Sequence, residues 1–191
     1  MTEEIWAAIR AERLDQAELL SSLTDEQWNA PSLCEGWRVR EVVAHTTLPF
    51  HSSRTRVLKE MLKSAGRFNH ASDRMAKQDA ARLSKNELAG VLKANADDRW
   101  TPPGGGPAGA LSHDVIHGLD ITIALGLDRK VPHDRLELVL DGMTPRTVKY
   151  FGADLANKRL EATDLDWAFG EGRPVRRPAQ ELLLLVCGRR I

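Results

Sequence analysis

The 191-residue chain balances 27 Lys plus Arg against 27 Asp plus Glu, with 42% hydrophobic and 28% charged residues. This composition excludes a disordered or collagen-like chain, and the charge balance leaves no net field to draw in nucleic acid or an anionic membrane. Met1-Thr2-Glu3-Glu4-Ile5-Trp6 lacks the basic start and apolar run of a secretory signal, and no stretch approaches the roughly 18 apolar residues of a membrane span, so a cytoplasmic protein is expected. The two cysteines, Cys34 and Cys187, belong to no CxxC pair; they are too few for a disulfide framework and read as reduced, partly buried thiols.

The length suits one generous domain, or a domain of about 130 residues with a small appendage. Ile5, Ala8, Ile9, Leu14, Ala17, Leu20 and Leu23 recur at helical spacing and predict a first helix over 3–23. Thr24 caps a short turn through Trp28, and Pro31 and Gly36 break the chain before a second helix. That helix is expected from about Val39 into the mid-60s, kinked at Pro49, with Val42, Val43, Leu48, Val57, Leu58, Met61 and Leu62 on its apolar side. Residues 66–73 are polar and predict a loop. The capping-box pattern Ser84-Lys85-Asn86-Glu87 then leads a third helix expected over 83–100.

Residues 101–109 hold three Pro and four Gly and should be irregular. A fourth helix follows over about 110–125, ended by Gly126, and a fifth over 134–150, kinked at Pro145. Residues 159–169 alternate apolar and polar, with a turn at Gly170 to Pro174, and predict two or three short strands. Pro178 stands at the entrance of an apolar closing helix over 179–187.

Six histidines carry the most informative pattern. His113 and His117 are four apart on the fourth helix, so both side chains lie on one face, at a spacing where two imidazoles can grip one ion. By itself the pair specifies no metal, because two histidines on a helix are commonly a partly exposed face. His45 adds to it: within Val42-Val43-Ala44-His45 an imidazole needs a buried partner, and antiparallel bundles place metal ligands on facing helices. His51, His70 and His133 fall near a kink, in a polar stretch and beside Pro132, so they are expected at the surface and outside the site. Asp120, three residues after His117, can accept a ligand N–H. Cys34 and Trp37 precede the His45 helix and are candidates to line a pocket.

The run from Trp28 through Cys34-Glu35-Gly36-Trp37 to His45 resembles the signature of the DinB-like, mycothiol-dependent maleylpyruvate isomerase family of metalloenzymes. His117-Gly118-Leu119-Asp120 is similar to the family's second ligand helix, and Ala162 to Trp167 with Pro178 to Leu184 looks like its C-terminal region. The resemblance covers most of the chain, with residues 28–45 its most specific part. It implies a mainly α fold: a DinB-like four-helix bundle with a long crossover over 1–130, and a small C-terminal α/β extension over 131–191. It also implies a divalent ion, zinc or alternatively nickel, on His45, His113 and His117, and a low-molecular-weight thiol such as mycothiol. One departure bears on activity: the isomerases carry Glu as the first ligand of the helical pair, where this chain has His113. A three-histidine set is closer to other DinB-like transferases.

The expected function is therefore metal-dependent thiol transfer, in which a thiol with its pKa lowered by the ion attacks a small electrophile. A maleylpyruvate-type cis–trans isomerase, a metal-dependent hydrolase and a non-catalytic metal- or ligand-binding protein stay open as alternatives, as does a homodimer.

Overall fold

The computed structural model describes residues 2–190. The chain divides into two compact units, Met1–Leu125 and Gly126–Ile191. The first is helical throughout, with α1 (Thr2–Ser22), α2 (Asp25–Asn29), α3 (Val39–His51), α4 (Arg54–Lys63), α5 (Phe68–Arg82), α6 (Lys85–Ala94) and α7 (Gly106–Thr122). Helices α1, α3, α6 and α7 form the bundle: α1 and α3 each pack against both α6 and α7. The path from α3 to α6 runs through α4 and α5, and α5 lies along α3. Val39, Val42, Val43, Ala44, Leu88, Leu92, Ala110, Leu111, Val115 and Leu119 close the core between these helices.

Local chemistry accounts for several helix starts. Thr24 and Ser84 each accept from the third residue ahead while Gln27 and Glu87 reach back to the cap backbone, satisfying donors that a helix start leaves open. The expected single helix from Val39 into the mid-60s is instead two. It stops at His51, and Ser53, in extended conformation, accepts from the Arg56 N–H and caps a new helix. The break re-aims α4: Val57, Leu58 and Leu62, expected inside, are 39%, 61% and 72% exposed. Its buried residue is Glu60, paired with Lys63 and Arg74.

Residues 68–73, expected as loop, open α5. Its buried face is Ala71, Met75, Ala76, Asp79 and Ala80, a stripe of small side chains and one carboxylate that gives little hydrophobic signal. The third expected helix is shorter than 83–100, because α6 ends at Ala94 and residues 98–103 carry no helix. Helix α7 begins earlier than expected, at Gly106, with Pro107 in its first turn where a missing N–H costs nothing.

The second unit contains α8 (His133–Leu140), α9 (Pro145–Phe151), β1 (Lys158–Ala162), β2 (Ala168–Gly170), β3 (Arg173–Arg177) and α10 (Ala179–Val186). The expected helix over 134–150 is two, since Thr144 caps α9 and Pro145 takes its first position rather than a kink. The sheet has the order β2-β1-β3, with β1 antiparallel to β2 and parallel to β3. Gly172 makes its close turn feasible: φ is +120°, and a Cβ there would stand 2.3 Å from the Asn157 carbonyl carbon. Helix α10 buries Leu182, Leu183, Leu184 and Val186 and packs against β1, α8 and α9. No helix among the described residues is long and apolar enough to cross a membrane.

Candidate metal centre

Helix α3 carries His45 immediately after Val42, Val43 and Ala44, all at most 1% exposed, so the packed face of the helix fixes the imidazole's direction. Helix α7 presents His113 and His117 one turn apart toward it. The three rings meet with centroids 4.9–5.1 Å apart, and Nε2 of His45 lies 3.2 Å from Nε2 of His113. One nitrogen from each ring falls within 4.8 Å of the other two, a group able to hold a metal ion.

Each ring is also held from behind. Ser72 Oγ on α5 lies 2.9 Å from His45 Nδ1, Asp114 Oδ1 lies 3.0 Å from His113 Nδ1, and Asp120 Oδ2 lies 3.0 Å from His117 Nδ1. With every Nδ1 engaged, Nε2 is the atom each ring can offer at the centre. A hydroxyl can donate or accept, so Ser72 accommodates either tautomer of His45; ionised carboxylates only accept, which favours Nδ1–H on His113 and His117. Hydrogen bonds of this kind orient ligand histidines and raise their basicity. Burial, with the charges of His117 and His113, holds His45 well below its ordinary pKa against the opposing pull of Asp120. Its neutral form, the one with a lone pair to give, is therefore favoured. Three imidazoles that turn Nε2 toward one point suit a zinc-like divalent ion with a coordination position left over.

The loop before α3 completes one side. Gly36 adopts φ +75°, and Ser32 Oγ accepts the Cys34 N–H while donating to the Trp37 carbonyl. The Leu33 N–H donates to the Asp120 carbonyl, tying this loop to α7. Cys34 Sγ consequently donates to Asp120 Oδ2 at 3.0 Å and lies 3.8 Å from His117 Nδ1. Asp120 is wholly buried and joins the thiol to the imidazole. The Trp37 ring lies 5.1 Å from that of His45, and its Nε1 donates to Asp73 Oδ1. Burial would raise the Asp73 carboxyl, but hydrogen bonds from Lys77 and Trp37 outweigh it and hold its pKa low. A cavity of about 570 Å³ opens beside this loop, bounded by Pro31, Cys34, Trp37, Arg38, Glu41 and Lys77.

The structure thus brings His45, His113, His117, Asp120, Cys34 and Trp37 together. His51 is not the surface residue expected: its Nε2 lies 2.8 Å from buried Asp79. His70 is exposed, on α5 rather than in a loop, and His133 is 3.9 Å from Asp164. Sequence reasoning missed Ser72, whose helix it took for a loop, and Trp100, whose ring stands edge-on to His113 at 5.6 Å. Asp114, which supports His113 from the next position, is signalled in the sequence by that adjacency alone.

Comparison with known proteins agrees with this architecture. The sequence model described as mycothiol maleylpyruvate isomerase N-terminal domain matches residues 9–122. Two crystal structures superpose on the chain with 100% of it covered and 90% of each structure covered. One is described as the mycothiol-dependent maleylpyruvate isomerase, with a TM-score of 0.61 and 14% identity. The other is a histidine-to-alanine mutant under the same description, with a TM-score of 0.57 and 13% identity. No curated protein matches the chain. At these identities the structural likeness establishes the fold.

Proposed function

The chain belongs to the mycothiol maleylpyruvate isomerase N-terminal domain family, and from that premise we propose that it is a metal-dependent enzyme using a low-molecular-weight thiol of the mycothiol class against a small electrophile. The observation that carries this reading is the convergence of His45, His113 and His117 around one point, with each ring supported from behind. These three residues would hold a divalent ion, zinc by the chemistry of the donors. Such an ion supplies Lewis acidity that lowers the pKa of a bound thiol toward neutrality.

The chain's own residues do the rest. Ser72, Asp114 and Asp120 fix the three rings in the orientation the reaction needs. Trp37 stands beside His45 and Trp100 beside His113, and the His113 and His117 side chains are only 15% and 14% exposed. The cavity bounded by Cys34 and Trp37, and by none of the three histidines, offers the polar body of the thiol a place, with Arg38, Glu41 and Lys77 as hydrogen-bonding groups. Cys34 is a wall residue in this scheme, since its thiol is engaged with Asp120.

Two outcomes share this chemistry. Addition of the sulfur to an electrophilic carbon gives conjugation, the transferase reading favoured by the three-histidine set. Addition to an activated double bond, rotation and reversal give cis–trans isomerisation, the reading favoured by the family match. Metal-loaded protein incubated with mycothiol and either monochlorobimane or maleylpyruvate separates them, by fluorescence of the adduct or absorbance of the isomer. Product that needs both thiol and metal and disappears in His117→Ala supports thiol chemistry. A loaded protein that gives no product with any common thiol favours a binding protein instead.

A further inference from the structure

We propose that Arg13 is a positioning residue for the centre, acting through Asp114 to hold the His113 ring with Nδ1 protonated and Nε2 directed at His45 and His117. This rests on the metal-site reading above. Arg13 lies on α1, a helix that supplies none of the three histidines, and its side chain is wholly buried. Its Nε donates to Asp114 Oδ2 at 2.7 Å, while the other oxygen of the same carboxylate lies 3.0 Å from His113 Nδ1. The carboxylate is thus shared, one oxygen to each partner, and cannot turn without giving up one of them. Its backbone is tied as well: Gln16 Nε2, one turn along α1, donates to the Asp114 carbonyl at 2.6 Å.

The same guanidinium also reaches the other side of His113. Its Nη1 donates to the carbonyls of Asn95 and Asp98 at 3.1 and 2.7 Å. The Asp98 side chain in turn accepts the Trp100 N–H, and the Trp100 ring stands edge-on to His113. Arg13 therefore fixes both the group behind the His113 ring and the segment that carries the aromatic beside it. Stability alone is a weak reason for such a residue, because buried ion pairs are commonly matched by apolar side chains of similar volume. Here the guanidinium lies over the Phe50 ring, 4.9 Å from its centroid, and Nη2 is buried without a hydrogen-bond partner among the described residues. Its geometry is accounted for by what it orients.

Donor and acceptor chemistry gives a test that a merely structural role would not pass. Arginine only donates. In Asp114→Asn, Arg13 takes the amide oxygen and leaves the amide NH2 facing His113 Nδ1, which must then carry a lone pair, moving the proton to Nε2. The expected result, read from long-range ¹H–¹⁵N spectra of the metal-free full-length protein, is a switch of His113 from the Nδ1–H to the Nε2–H tautomer. Zinc affinity, by chelator competition, should fall about 10- to 100-fold. Adding Arg13→Met frees the amide oxygen for His113, so the double variant should recover the Nδ1–H tautomer and part of the lost affinity. A His113 tautomer unchanged in Asp114→Asn, or a folded double variant with no recovery, overturns the proposal. Where the double variant does not fold, the tautomer in the single variant decides. The tautomer is measured without metal, so a wild type that binds no zinc defeats the metal reading while leaving the role of Arg13 separately decided.

Discussion

Nε2 of His45 and Nε2 of His113 stand 3.2 Å apart, although the two residues are on different helices and 68 positions apart. That distance fits a hydrogen bond in which His45 Nε2–H donates to the lone pair of His113, since Asp114 occupies Nδ1 of His113. Ser72 can donate to His45 Nδ1 in that state and accept from it in the other. On the proposed metal reading, the pair would exchange this mutual hydrogen bond for joint ligation through the other His45 tautomer.

The supports of the three rings differ in chemistry, and substitutions should rank accordingly. Asp120→Ala removes a fully buried carboxylate from His117 and is expected to lower zinc affinity about 10- to 100-fold. Ser72→Ala removes a neutral hydroxyl worth about 1 kcal/mol, a factor of roughly five. Chelator competition on the two variants should give that order; equal losses would show that the charge of Asp120 contributes nothing.

Cys34 Sγ donates to Asp120 and lies 3.8 Å from His117 Nδ1, forming with these two a second group able to hold an ion beside the three histidines. Cys34→Ser keeps a donor for Asp120, so zinc affinity and thiol-dependent turnover are expected to stay within about tenfold of wild type, the scale of one altered hydrogen bond. Loss of all turnover with metal retained would make Cys34 the nucleophile.

Asp79 gives the bundle a pH dependence separate from the metal. Burial would raise its carboxyl, but hydrogen bonds from Arg56, His51 and Arg82 and the charge of Arg56 hold it below its ordinary value. A depressed carboxyl contributes stability that is full above the unfolded value near 3.9 and is lost as pH falls through the folded value. Thermal unfolding from pH 7 to 3 should show this component in wild type and lack it in Asp79→Asn. The substitution should cost about 1–3 kcal/mol at pH 7, because it weakens charge-assisted hydrogen bonds to the partly exposed Arg56 and Arg82. Parallel pH profiles in the two proteins would contradict it.

Much of this molecule is legible in its sequence where the signal is local. Caps at Thr24 and Ser84 announce their helices, and an imidazole after Val42-Val43-Ala44 has few ways to be buried. His113, His117 and Asp120 follow one another at steps of about one helical turn, so their shared face can be read without knowing the fold. Ser72 and Arg13 could not be found this way. One lies on α5, whose inner stripe is mostly alanine, and the other reaches Asp114 only because α1 packs on α7. The inverted burial of α4 has the same origin, since a two-residue break at Ser52 and Ser53 changes which side faces inward while the apolar spacing continues through it.

The most direct measurement is the metal content and zinc affinity of purified wild type beside His45→Ala, His113→Ala and His117→Ala. A three-histidine centre predicts about one equivalent of bound zinc in wild type and a large loss of affinity in each variant, with folding retained by circular dichroism. Equal and negligible metal in wild type and all three variants at saturating zinc or nickel would contradict it.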